Sequence, residues 1–141
     1  MRMVYDMATL TTEIIKEKID KNWLPAFFVI ISALIALYIR LRPYDSVFLG
    51  GFVRFGGNDP WYHMRLIYTL LANYPHNIFY NPLTNYPTGS YIHFGPLYDH
   101  LIALTALIVG FGNPDNSLVN AIGAYFPAIL GALTVIPVYF V

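Results

Sequence analysis

Cysteine is absent from all 141 residues. That removes disulfide frameworks, thiolate metal sites and cysteine nucleophiles together, so any bound metal must sit on oxygen or imidazole. Charge is scarce as well. Asp, Glu, Lys and Arg make up 11% of the chain, against about 25% in a soluble globular domain, while 57% of residues are hydrophobic and 17% aromatic. The composition therefore excludes an ordinary soluble protein. Eight basic and eight acidic side chains cancel, so the basic footprint of a nucleic-acid-binding protein is missing and no nucleic-acid partner is expected. Also missing are a Walker loop, a GxSxG elbow, an HExxH helix and a dinucleotide-binding glycine pattern, which leaves hydrolase and nucleotide-driven pump readings without support.

What is present is a set of long apolar runs separated by irregular, Pro- and Gly-containing chain. Residues 23–39 contain Ser32 as their only plainly polar member and span about 26 Å as a helix, enough to cross a membrane. Lys16, Lys18 and Lys21 precede the run, Arg40 and Arg42 follow it, and Trp23 and Tyr38 occupy aromatic-belt positions. A polar leader of 22 residues and the Arg40-Leu41-Arg42 exit argue for a retained anchor over a cleaved signal peptide. Glu13, Lys16, Glu17 and Lys21 in the leader have the spacing of a solvated membrane-proximal helix.

Residues 97–111 form a second, shorter run of about 22 Å with Asp99 and His100 in its first turn, which spans only if those two lie at the interface. Residues 112–117 read as a compact turn, and 118–141 as a third crossing. There Ala124, Ala128 and Ala132 recur every four positions and admit a close helix neighbour, and Pro127 and Pro137 imply kinks. The expected fold is thus all-α and integral to the membrane, with several spans. Its segments are a leader (1–22), helices at 23–39, 97–111 and 118–141, a long structured loop (40–96) and a short turn (112–117). The chain stops within an apolar stretch, as the front part of a longer protein would. Four Lys and Arg fall on each side, so the positive-inside rule gives no orientation.

The loop over 40–96 carries the chemistry. It is too long for a simple connection and too aromatic for disorder. Gly56-Gly57-Asn58-Asp59-Pro60-Trp61 reads as a flexible turn, an Asp N-cap and a Pro at the first helical position. The spacing of Trp61, Met64, Tyr68 and Leu71 predicts an amphipathic helix lying along the membrane interface. Two readings of Asp59 stand side by side. It is a helix cap, or it is a rigid carboxylate ligand for a hard cation. His63, one turn on, has the spacing to share such a cation, although that spacing is unspecific. Pro75, Pro82 and Pro87 then break the chain, and His93 arrives close to the second apolar run. Asp99 and His100 are adjacent, point in different directions on a helix, and read as interfacial or packing groups.

The ordered set Gly57-Asn58-Asp59-Pro60-Trp61-Tyr62-His63-Met64-Arg65, Tyr86-Pro87-Thr88-Gly89, His93-Phe94-Gly95-Pro96-Leu97 and the third run around Pro127–Pro137 resembles the N-terminal end of the catalytic subunit of oligosaccharyltransferase. The likeness is strongest to the archaeal dolichyl-phosphooligosaccharide–protein glycotransferases. It covers most of residues 22–141. It implies a membrane enzyme that transfers a glycan from a lipid-linked oligosaccharide donor to Asn in Asn-X-Ser/Thr of an acceptor polypeptide. The loop would lie on the external face of a multi-pass cell-membrane protein, with the leader and the 112–117 turn cytoplasmic. By the same resemblance Asp59 is the catalytic, metal-binding carboxylate for Mn or Mg. His93 matches a position near that metal, and Arg65 a recurrent basic residue that either binds the donor phosphate or pairs with a carboxylate. Further acidic groups and a Trp-Trp-Asp acceptor motif belong to later parts of the family's chains, so this stretch alone is expected to be inactive. Two other classes fit the residues: another lipid-phosphate-sugar-dependent membrane glycosyltransferase, and a non-catalytic membrane subunit that only packs against partner helices.

Overall fold

A computed structural model describes residues 23–141. The helix expected through Glu13 to Lys21 lies outside the described residues. In chain order the elements are α1 (residues 23–41), α2 (Tyr44–Val47), β1 (Phe48–Leu49), β2 (Phe52–Val53), α3 (Asp59–Ala72), β3 (Tyr80–Asn81), β4 (Ser90–Tyr91), α4 (Leu97–Val109), α5 (Asn116–Leu133) and α6 (Val135–Tyr139). They group into two compact units, one comprising residues 23–41 with 129–141 and the other residues 42–128.

The first unit is two apolar helical stretches side by side. Pro25, Phe28 and Ser32 of α1 line a groove with Val135, Val138 and Tyr139. Farther along α1, Ala33, Leu34 and Leu37 share a groove with Ile129, Ala132 and Leu133. The Arg40 guanidinium then lies against Gly131, where a Cβ would overlap it. Numbers rise along α1 as they fall along its neighbour, so the two run antiparallel. Ala132 is buried at this contact, as the small-residue spacing implies. Pro127 sits inside an unbroken α5. Around Pro137 the helix is interrupted by one turn residue, Thr134, which keeps right-handed helical dihedrals. The break puts Pro137 in the first turn of α6, where a missing N–H leaves no helical bond unmade.

The second unit has a core of its own. Met64, Ile67 and Leu70 of α3 pack on Ile102, Ala103 and Ala106 of α4 and on Val119 of α5. The 3-residue steps of Met64, Ile67 and Leu70, and the 4-residue step from Ile102 to Ala106, put each set on one helix face. This shifts the stripe expected from the sequence. Trp61 is 46% exposed, while Leu66, Ile67 and Leu70 are buried, and Tyr68 and Leu71 only flank the core. The buried face of α3 is the face that meets α4. The all-α expectation is also corrected. Two antiparallel two-residue ladders occur, Phe48 to Val53 with Leu49 to Phe52, and Tyr80 to Tyr91 with Asn81 to Ser90. Gly50 and Gly51, both at positive φ, close the first ladder with the left-handed pair that a two-residue hairpin turn requires. Among the described residues two helical stretches are long and apolar enough to cross a membrane, Trp23–Val47 (α1 with α2) and Asn116–Tyr139 (α5 with α6). At 13 residues, α4 is about 20 Å long, short of the roughly 30 Å hydrocarbon core.

Candidate functional site

The turn before α3 sets up the site. Gly57 adopts φ of 84°, a left-handed conformation that costs glycine little. Asn58 follows in the right-handed helical region and makes no side-chain cap, and the helix begins at Asp59 with Pro60 behind it. The expected Asp59 cap is therefore not formed. Because Asn58 already turns the chain, Asp59 sits in the first helical turn, where the helix dipole favours a carboxylate. Its side chain is exposed and makes no hydrogen bond or ion pair among the described residues. Pro60 occupies a position whose N–H would have no intrahelical acceptor. Trp61 ties the turn down. Its Nε1 donates to the Phe55 carbonyl at 3.2 Å, and its ring stands edge-on to Phe55 at 5.1 Å.

Asp59 opens onto a cleft of about 410 Å³, whose other lining residues include Arg54, Phe55, His63, Met64, Tyr98, Gly123 and Pro127. The cleft exists partly because residue 123 has no side chain. A Cβ there would overlap the Met64 sulfur. Its walls are largely apolar, and its polar side chains are those of Asp59, Arg54, His63 and Tyr98.

His63 Nδ1 lies 2.8 Å from Asp99 Oδ1. Asp99 is 3% exposed, and an ionised carboxylate only accepts, so the imidazole N–H donates to it. The Phe94 and Tyr98 rings stand edge-on to the imidazole, each at 5.5 Å. His100 turns away from this pair, its Nδ1 2.8 Å from the Pro96 carbonyl and its Nε2 3.2 Å from that of Pro75. On the far side of α3 the Tyr68 hydroxyl donates to Asn120 at 2.8 Å. Burial pushes that phenol above its ordinary range, against the opposing pull of this hydrogen bond.

The other residues expected at the site are placed elsewhere. Arg65 is exposed, about 240° round the helix from Asp59, and is not part of the cleft wall. His93 is exposed between β4 and α4, also away from the cleft wall. No three His, Asp or Glu side chains gather into a metal-binding group among the described residues. Asp59 does fit a hard cation as a single donor, being an unpartnered, solvent-facing carboxylate. Two residues were missed from sequence. Arg54 carried no motif signal. Asp99 carried one, an acidic residue in an apolar helix, but its partner stands 36 positions away.

The family model for Oligosaccharyl transferase STT3, N-terminal, matches residues 23–141. The chain belongs to the oligosaccharyltransferase STT3 family. Dolichyl-phosphooligosaccharide-protein glycotransferase 3 of Archaeoglobus fulgidus is 45% identical over 111 residues, 78% of this chain and 12% of the relative. The Haloferax volcanii dolichyl-monophosphooligosaccharide–protein glycotransferase AglB is 41% identical over 127 residues, 88% of this chain and 12% of the relative. The chain thus spans about an eighth of the length of these glycosyltransferases. A crystal structure of the A. fulgidus oligosaccharyltransferase complexed with Zn and sulfate superposes with a TM-score of 0.69 at 46% identity, over 78% of this chain and 14% of that one. The archaeal AglB complex with an inhibitory peptide and a dolichol-phosphate gives 0.66 at 40% identity, over 82% and 14%. Two apolar helices of spanning length and STT3 kinship make this a membrane protein.

Proposed function

We propose that this STT3-family chain supplies the first external loop of an oligosaccharyltransferase that moves a glycan from a dolichyl-phosphate-type carrier to Asn in Asn-X-Ser/Thr. The observation that carries the reading is the Asp59 carboxylate. It is fixed in the first turn of α3 by a glycine turn and a tryptophan bracket, open to a cleft, and unpartnered among the described residues. Asp59 is the residue that would hold a divalent cation, Mn or Mg, with His93 assigned beside it through the resemblance and further donors coming from the rest of the enzyme. When bound, such a cation stabilises negative charge developing on a phosphate leaving group. The apolar wall of the cleft lowers the local dielectric on its side of the Asp59 carboxylate. Arg65 is assigned to the donor through the resemblance. Arg54, which shares the cleft with Asp59, is the guanidinium better placed to meet a donor phosphate.

The geometry also favours a revised topology. Three alternating crossings would leave the first and third parallel, whereas α1 and the α5–α6 stretch run antiparallel. With α4 about 20 Å long, we place residues 42–115 on one face of the membrane, the external one, and take α4 as a helix of the loop.

Both parts have direct tests. Asp59→Ala in the full-length enzyme is expected to abolish metal-dependent glycan transfer while leaving membrane insertion unchanged; near-normal transfer would refute the ligand assignment. Thr88→Cys and Asn113→Cys should react with a membrane-impermeant thiol reagent from the same side of oriented vesicles. Reaction from opposite sides would restore α4 as a crossing.

A further inference from the structure

Asp59 and His63 stand four residues apart on α3, about 40° apart round the axis, and both line the same cleft. Residues at this spacing on a helix face the same way and reach a common ion, as in the i and i+4 histidines of zinc-binding helices. Spacing alone is cheap. The independent observation is Asp99, a carboxylate only 3% exposed whose Oδ1 accepts from His63 Nδ1 at 2.8 Å. A buried carboxylate bonded to one ring nitrogen fixes the tautomer, leaves the lone pair on Nε2, and makes that nitrogen a stronger donor. This is the usual outer partner of a metal-bound histidine. The Phe94 and Tyr98 rings, edge-on at 5.5 Å, restrict rotation of the imidazole. Nε2 has no hydrogen-bond partner among the described residues.

From this arrangement we infer that His63 is a second protein donor to the cation held by Asp59, and that Asp99 is the positioning residue that orients it. The inference rests on the assignment of Asp59 as a metal ligand and adds a nitrogen to it. An Asp and His pair accepts borderline cations such as Zn, Co and Mn more readily than an all-oxygen set, which suits Mg. The competing account is a latch, in which His63 and Asp99 do no more than fasten α3 to α4.

Two measurements on the full-length protein in detergent separate these accounts, and neither depends on transfer activity. The first uses the unmutated protein, treated with diethyl pyrocarbonate and mapped by peptide mass spectrometry with and without Mn. Carbethoxylation of His63 is expected without metal and should be suppressed by saturating Mn. Equal modification in both states, or none in either, overturns the inference, because Nε2 would then be unbound or not free. The second is Mn titration followed by electron paramagnetic resonance. His63→Gln should weaken binding about 10- to 100-fold and reduce the number of nitrogens coupled to bound Mn by one. Asp99→Asn should weaken binding over a similar range with that count unchanged. Unaltered affinity in His63→Gln, with binding lost in Asp59→Ala, defeats the role of His63 and leaves Asp59 as the ligand. Unaltered affinity in Asp59→Ala defeats the reading beneath both.

Discussion

The core between α3 and α4 offers a quantitative test, because the chain's own lack of cysteine allows a single reporter thiol. Ile67 is 0% exposed and packs in the cluster with Ala103 and Ala106, also 0% exposed. Ile67→Ala removes three carbons, about 2.4 kcal/mol of transfer free energy at about 0.8 per methylene. The unfilled cavity adds to that, for a total of about 2–5 kcal/mol. With Ala106→Cys as the reporter in a full-length protein otherwise free of cysteine, a dilute thiol reagent reads the population of the open state. At 1.4 kcal/mol per tenfold, Ile67→Ala should speed labelling at least about 30-fold. Ile108 lies on the same helix as the reporter but is 66% exposed, so Ile108→Ala should change the rate by less than about threefold. A rise of under threefold in Ile67→Ala, or equal effects of the two substitutions, would refute α3 against α4 as the core of this unit.

Other consequences follow from single contacts. A Cβ on residue 110 would meet the Pro114 backbone and the Ala106 carbonyl, so Gly110→Ala should destabilise the α4–α5 turn by about 1–3 kcal/mol, measured as faster labelling of the same reporter thiol. Trp61→Phe keeps an aromatic ring but loses the bond to the Phe55 carbonyl. It should cost about 1 kcal/mol and raise amide exchange over residues 55–58. If Arg54 meets the donor phosphate, Arg54→Ala should raise the donor KM at least about tenfold with little change in Mn affinity, and should exceed the effect of Arg65→Ala. Gly123→Leu should obstruct the cleft beside Met64 and raise the donor KM as well, whereas Gly123→Ala, which displaces only the end of a flexible side chain, should be mild.

The start of α3 was largely legible in the sequence because its determinants are local. Two glycines, a proline without an N–H, and apolar residues at three- and four-residue spacing act within a turn or two of chain. The hairpins were not legible, since two-residue strands contain no periodicity to count. Past Met64, which is buried as expected, the stripe on α3 was read one residue out of register, because the side that becomes buried depends on where α4 lies.

The same division runs through the site. Composition alone pointed to a membrane chain, here without cysteine, and one ordered set of residues around Asp59 identified the family. Tertiary structure decided which side chains meet. It left Asp59 uncapped and facing a cleft, set Arg54 in the same wall, turned Arg65 to another face, and joined His63 to an aspartate 36 positions downstream. Hydropathy reports the solvent a helix tolerates and reads residues 97–111 as a membrane span, which the proposed topology revises. Only the packing of α4 on α3 gives its apolar side a protein partner and its buried carboxylate a histidine.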